Sequence, residues 1–220
     1  MSTIKENLMK IKQEIVPYTP NIIAVTKYFD ESKIIEAYES GLRDLGESRI
    51  PEAIEKIQRL PDEIRKNSRF HLIGHLQTNK VKKVIGVFDY IHSVDSLSLA
   101  QLISQESEKL NLKQKILIQI NNAEEEQKFG FSKENIFRDF EKIKELGGIE
   151  VVGIMNIAPL GLEERELREL FLDIVKTRDE LERKYDCKLK EISMGMSGDY
   201  KTAVVAGSTM IRIGRRLFSQ

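Results

Sequence analysis

Near its amino terminus the chain reads Ile22-Ile23-Ala24-Val25-Thr26-Lys27, an apolar run that ends in an ammonium group. Short runs rich in β-branched residues are typical of strands buried on both faces, the pattern of parallel sheets. We therefore predict a strand over residues 22–27, with Lys27 at its carboxyl end.

Lys27 has two interpretations. In barrels of alternating strands and helices, side chains at the carboxyl ends of the strands line the active site, where a lysine amine can form a Schiff base with an aldehyde. Alternatively, Lys27 marks only the point at which a strand reaches water, because exposed lysines at strand ends are common. This stretch alone does not decide between them.

Strand and helix patterns alternate along the rest of the chain. A helical stripe precedes the first strand at Ile4, Leu8, Ile11 and Ile15. The longest helix is predicted over residues 164–185, and Ser132 is predicted to cap the helix before the sixth strand. The predicted strands are residues 22–27, 42–46, 69–73, 89–94, 115–120, 149–155, 189–193 and 209–213.

This alternation predicts the fold. Strand–helix–strand crossovers give parallel pairing, and eight such units close into a barrel. The predicted class is α/β, a single (β/α)8 TIM barrel, in one domain over residues 1–220 because no linker or repeat interrupts the chain. The main competitor is a doubly wound open sheet, which favours a glycine-rich turn after the first strand. Residues 27–30 contain no glycine.

Composition excludes several classes of protein. The 220 residues contain 35 Lys plus Arg and 35 Asp plus Glu, so no general attraction to nucleic acid is expected. No apolar run approaches the roughly 20 residues that span a bilayer. The single cysteine, Cys187, excludes an internal disulfide and indicates a reducing compartment. We expect a soluble, cytoplasmic protein without a membrane partner, and a monomer.

Two glycine-rich segments border the last two predicted strands. Loops after strands seven and eight of such barrels commonly bind phosphate, because glycine exposes backbone N–H groups and hydroxyls add donors. A phosphate-bearing ligand is one interpretation. The other is that the glycines are ordinary turn residues and that Ser197 is a helix cap. The segments read Ser193-Met194-Gly195-Met196-Ser197-Gly198-Asp199 and Gly207-Ser208-Thr209-Met210-Ile211-Arg212-Ile213-Gly214.

Arg212 lies within the last predicted strand, where both faces of a closed barrel are covered, so we expect it to be buried. A buried guanidinium needs a partner. That partner is either a ligand atom that accepts its hydrogen bonds or a carboxylate such as Asp44 or Glu47 near the second strand.

Two further motifs are Gly46-Glu47-Ser48-Arg49 and Ile73-Gly74-His75-Leu76-Gln77-Thr78-Asn79-Lys80. Together with residues 24–27 and the two glycine-rich segments, they resemble, in order along the chain, the signatures of the pyridoxal-phosphate homeostasis proteins. The resemblance implies a single barrel similar to the amino-terminal domain of alanine racemase. It also implies that the second, β-rich domain of that enzyme is missing.

The resemblance implies pyridoxal 5'-phosphate (PLP) as the cofactor. Lys27 matches the lysine that holds PLP as a Schiff base. Arg212 matches an arginine facing the pyridine nitrogen, where a permanent cation keeps that nitrogen unprotonated. Ser197, Ser208 and the Gly214 backbone match the phosphate cradle. The expected cofactor-binding residues are Lys27, Ser48, Met196, Ser197, Ser208, Thr209, Arg212, Gly214 and Arg215.

Two of these positions depart from the family pattern. Ser48 stands where the family commonly has asparagine, and Arg215 stands where it commonly has a phosphate-binding threonine. Arg215 can still meet a phosphate as a charge, although its side chain is much longer.

The three histidines predict no metal site. His71, His75 and His92 come from two strands and lack a CxxC motif, an HxxxH motif or a nearby carboxylate pair. His75 is the best placed for function, just past a strand end, whereas His71 and His92 are predicted to be core or rim residues. The acidic segment 124–130 is predicted to be a solvated rim loop from which Lys128 could reach inward, and it is assigned no role.

The expected function is to hold PLP and to take part in its intracellular storage and supply, with apo-forms of PLP-dependent enzymes as expected partners. No catalytic residue is expected. The alternative is a PLP-dependent amino-acid racemase or another Schiff-base enzyme. Racemisation needs two bases on opposite faces of the substrate, and Lys27 supplies only one. A third candidate is an aldolase that uses Lys27 on a sugar phosphate.

Overall fold

The polypeptide forms a closed barrel of eight parallel strands, seen in a computed structural model that describes residues 3–122 and 129–219. The strands follow one another around the barrel in chain order. Their bounds are β1 Asn21–Val25, β2 Asp44–Glu47, β3 Arg69–Leu72, β4 Tyr90–Val94, β5 Gln114–Ile120, β6 Ile149–Asn156, β7 Glu191–Met196 and β8 Met210–Ile213.

Helices surround the barrel. Within the described ranges, no helix combines the length and the apolar content that a membrane crossing requires. A short 3-10 turn at Thr78–Lys80 precedes the fifth helix. The helices are α1 Ile4–Glu14, α2 Glu31–Glu39, α3 Ile50–Arg59, α4 Asp62–Asn67, α5 Val81–Val84, α6 Leu97–Glu108, α7 Lys133–Lys144, α8 Glu164–Tyr185, α9 Tyr200–Ala206 and α10 Arg215–Phe218.

Pairing between the first and last strands closes the barrel. β1 bonds to β2 on one side and to β8 on the other, with Ala24 opposite Leu45 and Ile23 opposite Arg212. A doubly wound open sheet would leave two strand edges unpaired. The predicted (β/α)8 TIM barrel is therefore confirmed.

Apolar helix stripes cover the outside of the sheet. The stripe on α7 buries Phe140 and the stripe on α8 buries Phe171, both fully. The amino end of α7 is fixed locally, since the Ser132 side chain accepts a hydrogen bond from the backbone of Asn135 at 3.2 Å. That cap and the bounds of α8 match the sequence prediction.

Several boundaries differ from the prediction. β1 ends at Val25 rather than at Lys27, because a hydrogen bond from the Phe29 amide to the Thr26 carbonyl, 3.0 Å long, begins a turn there. β7 begins at Glu191 and extends to Met196, later than the predicted 189–193. Helices α4 and α10 were not predicted because six and four residues are too few to show a helical period.

Gly153→Ala is expected to lower the free energy of unfolding by about 3 kcal/mol. A Cβ atom at Gly153 would lie 1.9 Å from the backbone oxygen of Glu191, its partner in β7, so the two strands would have to separate locally. Gly198→Ala is the control, because a Cβ atom there would meet nothing within 4 Å. Urea denaturation measures both variants, and equal stabilities would contradict the close strand approach.

Candidate functional site

Lys27 lies at the mouth formed by the carboxyl ends of the strands, in the turn between β1 and α2. Its side chain is half-buried, and the ammonium nitrogen is 5.1 Å from the centre of the Tyr28 ring. The guanidinium carbon of Arg49 lies 5.3 Å from the same ring centre. Lys27 therefore keeps the strand-end location that the sequence predicted, two residues beyond the strand itself.

A buried ion pair supports this turn. The ammonium group of Lys56, on α3, lies 2.5 Å from a carboxylate oxygen of Glu47, and both side chains are less than a tenth exposed. The same ammonium donates to the backbone carbonyls of Thr26 at 2.9 Å and Phe29 at 3.0 Å. The Thr26 hydroxyl donates to Glu47 at 2.7 Å. Lys56 therefore fixes both sides of Lys27.

Sequence reasoning missed Lys56. The signal available was its position on the apolar stripe of α3, between the buried residues Ala53 and Ile57. A lysine on a buried stripe needs an anionic or carbonyl partner, and Glu47 at the end of a neighbouring strand supplies one.

The loops after β7 and β8 meet beside this turn. The hydroxyl oxygen of Ser197 lies 3.4 Å from the backbone nitrogen of Arg216, which donates to it. A Cβ atom on Gly214 would lie 3.4 Å from the Cβ of Val25, the last residue of β1. Arg215 is exposed at the same loop. The structure thus brings Ser197, Gly214 and Arg215 to the same end of the barrel as Lys27.

The first helix is attached to the same loops. The carboxylate of Glu14 accepts hydrogen bonds from the Tyr200 hydroxyl and the Arg216 guanidinium, and it pairs with Lys201 at 3.0 Å. Although partial burial opposes ionisation, these donors lower the pKa of Glu14 to about 2. The Asn7 amide donates to the carbonyls of Leu217 at 3.0 Å and Ser219 at 2.9 Å.

Ser208 and Thr209 are not at this mouth, which corrects the expectation from the resemblance. They precede β8, and the residues before a parallel strand open at the amino-terminal end of the barrel. The Ser208 hydroxyl is buried and lies 2.7 Å from the Met194 carbonyl. The Thr209 hydroxyl donates to Glu191 at 2.7 Å. Both hydroxyls therefore serve the strand packing opposite the mouth.

Met196 and Ser48 remain near the mouth. Met196 ends β7, and its backbone N–H donates to the carboxylate of Asp199. Ser48 follows β2 and is half-buried against Gly74, where an added Cβ atom would lie 2.7 Å from the Ser48 Cβ. Ser48 therefore lies between β2 and β3 at the mouth, with β1 between it and the β8 loop.

Arg212 is buried in the barrel interior, as expected. One terminal nitrogen donates to the carbonyl of Ser193 at 2.8 Å and to its hydroxyl at 2.6 Å, and the other donates to the Asn156 carbonyl at 2.8 Å. Burial lowers the pKa of Arg212 to about 10, against the attraction of Asp199. The group therefore stays protonated at neutral pH.

Neither proposed carboxylate partner pairs with Arg212. Asp44 accepts from Arg69 and His71, and Glu47 pairs with Lys56. Within residues 3–122 and 129–219, the recorded partners of Arg212 are two carbonyls and a hydroxyl. These hydrogen bonds use three of the five guanidinium N–H groups.

The histidines divide between core and mouth. His71 and His92 are fully buried, which confirms the prediction of core positions. The His75 ring stacks on Phe129 with a centroid distance of 3.6 Å, and its Nδ1 lies 3.3 Å from Asp95. The described residues contain no group of three His, Cys, Asp or Glu side chains suited to a metal ion. Lys128 and the acidic residues 124–126 lie outside the described part.

Sequence and structure comparisons define the class of this barrel. A family model described as the alanine racemase N-terminal domain matches residues 1–219. Pyridoxal phosphate homeostasis proteins of Synechocystis and Aquifex aeolicus are each 38% identical to the chain. The first match covers 92% of both chains, and the second covers 90% of this chain and 86% of the relative.

Solved structures agree with these matches. The structure of PipY from Synechococcus elongatus without PLP superposes with a TM-score of 0.93 at 35% identity, over 99% of this chain and 100% of that one. The structure of PipY with PLP bound gives 0.89 at 34% identity over the same shares of the two chains. The chain belongs to the pyridoxal phosphate homeostasis protein family.

Lys56→Met is expected to lower the free energy of unfolding by about 3–5 kcal/mol, because Glu47 would remain buried without its partner. Lys33→Met, which breaks an exposed pair with Glu36, should cost less than about 1 kcal/mol. Adding Glu47→Leu to Lys56→Met should recover part of the loss, since no charge then remains buried. Thermal and urea unfolding test this, and a loss no larger than that of Lys33→Met would contradict it.

Proposed function

We propose that this protein holds PLP at the barrel mouth as a Schiff base on Lys27 and takes part in PLP homeostasis without catalytic turnover. The proposal is supported by membership of the family and by the PipY structure that contains PLP. PLP supplies an aldehyde that condenses with an amine, and a pyridine ring that can withdraw electrons from the adduct.

The donor groups of the mouth fit the three functional parts of PLP. Lys27 offers the only type of side chain that forms a stable imine with an aldehyde. Ser197 and the backbone around Gly214 offer neutral donors for a phosphate, and Arg215 adds a positive charge. In this proposal Ser48 and Met196 line the mouth, while Ser208 and Thr209 have no part in binding.

Arg212 is the observation on which the functional proposal rests. It is a buried cation whose hydrogen-bond partners in the described residues are uncharged, and it lies two residues before the loop at Gly214. A pyridine nitrogen facing this guanidinium accepts a hydrogen bond and stays unprotonated, because the guanidinium does not give up its proton. A ring in that state withdraws electrons weakly, which favours holding the cofactor over turning over substrates.

Delivery of PLP to apo-forms of PLP-dependent enzymes is part of the same proposal. Lys27 lies in a short turn rather than deep in the barrel, and its neighbour Tyr28 is 70% exposed. An incoming amine can therefore approach the cofactor from solvent. The cytoplasmic location and the monomeric state stay predictions from the sequence.

Lys27→Ala is expected to abolish covalent PLP binding while leaving the barrel folded. Borohydride reduction after incubation with PLP, followed by peptide mass spectrometry, should place the cofactor on Lys27 in the unmodified protein and on no residue in the variant. Lys80→Ala is the control, because Lys80 also lines the mouth, next to Ser48 and His75. Adduct formation by Lys27→Ala equal to that of the control would contradict the assignment.

The loaded protein is expected to leave the α-proton of amino acids in place. Deuterium exchange into a panel of L- and D-amino acids, with chirality measured in the same samples, separates the carrier from a racemase. Alanine racemase serves as the positive control at equal PLP concentration. Exchange that is faster than with free PLP and that is lost in Lys27→Ala would establish the enzyme instead.

A further inference from the structure

A continuous row of polar side chains crosses the barrel interior from the amino-terminal end to Arg212. His71 Nε2 lies 2.9 Å from Asp44, His71 Nδ1 lies 2.9 Å from His92 Nε2, and His92 Nδ1 lies 3.0 Å from the Ser193 hydroxyl. That hydroxyl is 2.6 Å from the Arg212 guanidinium. We call Asp44, His71, His92 and Ser193 the interior relay.

Asp44 sets the direction of the relay. Its carboxylate accepts hydrogen bonds from two nitrogens of Arg69, at 2.7 and 2.5 Å. Although partial burial opposes ionisation, the hydrogen bonds from Arg69 and His71 lower the pKa of Asp44 to about 2. An ionised carboxylate only accepts hydrogen bonds, so His71 must donate from Nε2. At the other end of the row Arg212, which only donates, occupies the Ser193 oxygen and leaves the hydroxyl hydrogen to point at His92 Nδ1, so His71 Nδ1 is the acceptor between the two rings.

The remaining hydrogen bonds follow from that choice. His92 donates from Nε2 to the free Nδ1 of His71, so its own Nδ1 accepts from the Ser193 hydroxyl. The oxygen of that hydroxyl then accepts from Arg212. Every member therefore has a matched donor and acceptor while both imidazoles are neutral, and hydrogen bonds aligned in one direction strengthen one another.

The neutral state of His92 has a physical cause. Burial lowers the pKa of His92 well below its usual value, and the positive charge of Arg212 acts in the same direction. The Tyr90 ring stacks on His71 at a centroid distance of 4.6 Å, almost parallel, and fixes the plane of that imidazole. The relay is thus held rigidly, without an added interior charge.

We propose that the interior relay is a set of positioning residues for Arg212, which fixes the orientation of its guanidinium through the Ser193 hydroxyl. The effect on bound PLP rests on the proposed function above. The orientation of Arg212 itself does not, because it is a property of the unliganded protein.

The first experiment uses the protein without PLP. Long-range ¹H–¹⁵N NMR at pH 7 should show both His71 and His92 as neutral Nε2–H tautomers with slowly exchanging ring protons, and separate terminal N–H signals for Arg212. A charged imidazole or an Nδ1–H tautomer at His92 would overturn the relay. In Asp44→Asn the Arg212 signals should broaden or merge, whereas a merely structural Asp44 would leave them unchanged.

The second experiment measures PLP affinity and the absorption band of bound PLP. Ser193→Ala should raise the dissociation constant about tenfold and Asp44→Asn about threefold, with a displaced band in both, because Arg212 loses orientation. Ser193→Thr keeps the hydroxyl and should stay within about twofold of the unmodified protein. Asp89→Asn is the matched control, since Asp89 binds the Phe70 amide at 2.7 Å beside the relay without joining it.

The outcomes separate the two proposals. Unaltered affinity, band and Arg212 signals in both Ser193→Ala and Asp44→Asn would overturn the relay while leaving the cofactor assignment standing. Failure of the unmodified protein to bind PLP would overturn the proposed function, and the NMR signals of the unliganded protein would then decide the relay alone. An Asp89→Asn effect as large as that of Asp44→Asn would show a general response to lost charge and would also overturn the relay.

Discussion

The pairing of β1 with β8 is the constraint on which the whole arrangement depends. It closes the barrel and places Ile23 opposite Arg212. As a result, the turn that contains Lys27 lies beside the loop that begins at Gly214. Without this pairing the two ends of the sheet would lie far apart, and an amine and an anion cradle from opposite ends of the sequence would not share one opening. The proposed site at the mouth therefore depends on closure of the barrel.

Much of the fold could be predicted because the signals are local and repeated. The β-branched runs, the Ser132 cap and the long apolar stripe of α8 each specify their own element, and alternation alone implies parallel strands. The site was predicted less completely. Ser208 and Thr209 were assigned to the site through the family resemblance, but a match of motifs does not reveal at which end of a strand a residue lies. The predicted strand over residues 209–213 agrees with β8 to within one residue and by itself places both hydroxyls at the amino-terminal end.

The hydrogen-bond partners of the buried polar residues could not be predicted from the sequence either. Lys56 breaks the apolar stripe of α3 and His71 and His92 interrupt apolar strands, so each position signals something unusual, but the partner in each case comes from a distant part of the chain. Barrel interiors of this class are commonly filled by layers of branched apolar side chains. Here part of the interior is polar. Its packing is therefore specified by pairs of hydrogen-bond donors and acceptors as well as by the shapes of the side chains.

The attachment of α1 to the segments that follow β7 and β8 has a consequence for how the protein is handled. Glu14 binds Arg216 and Tyr200, and Asn7 donates to the backbone carbonyl of Leu217. Helix α1 therefore supports the segment beside Gly214. Truncation within the first helix, or a bulky tag fused there, would remove this support without removing any strand of the barrel. Ligand retention, rather than secondary structure content, is the appropriate quality measure for such preparations.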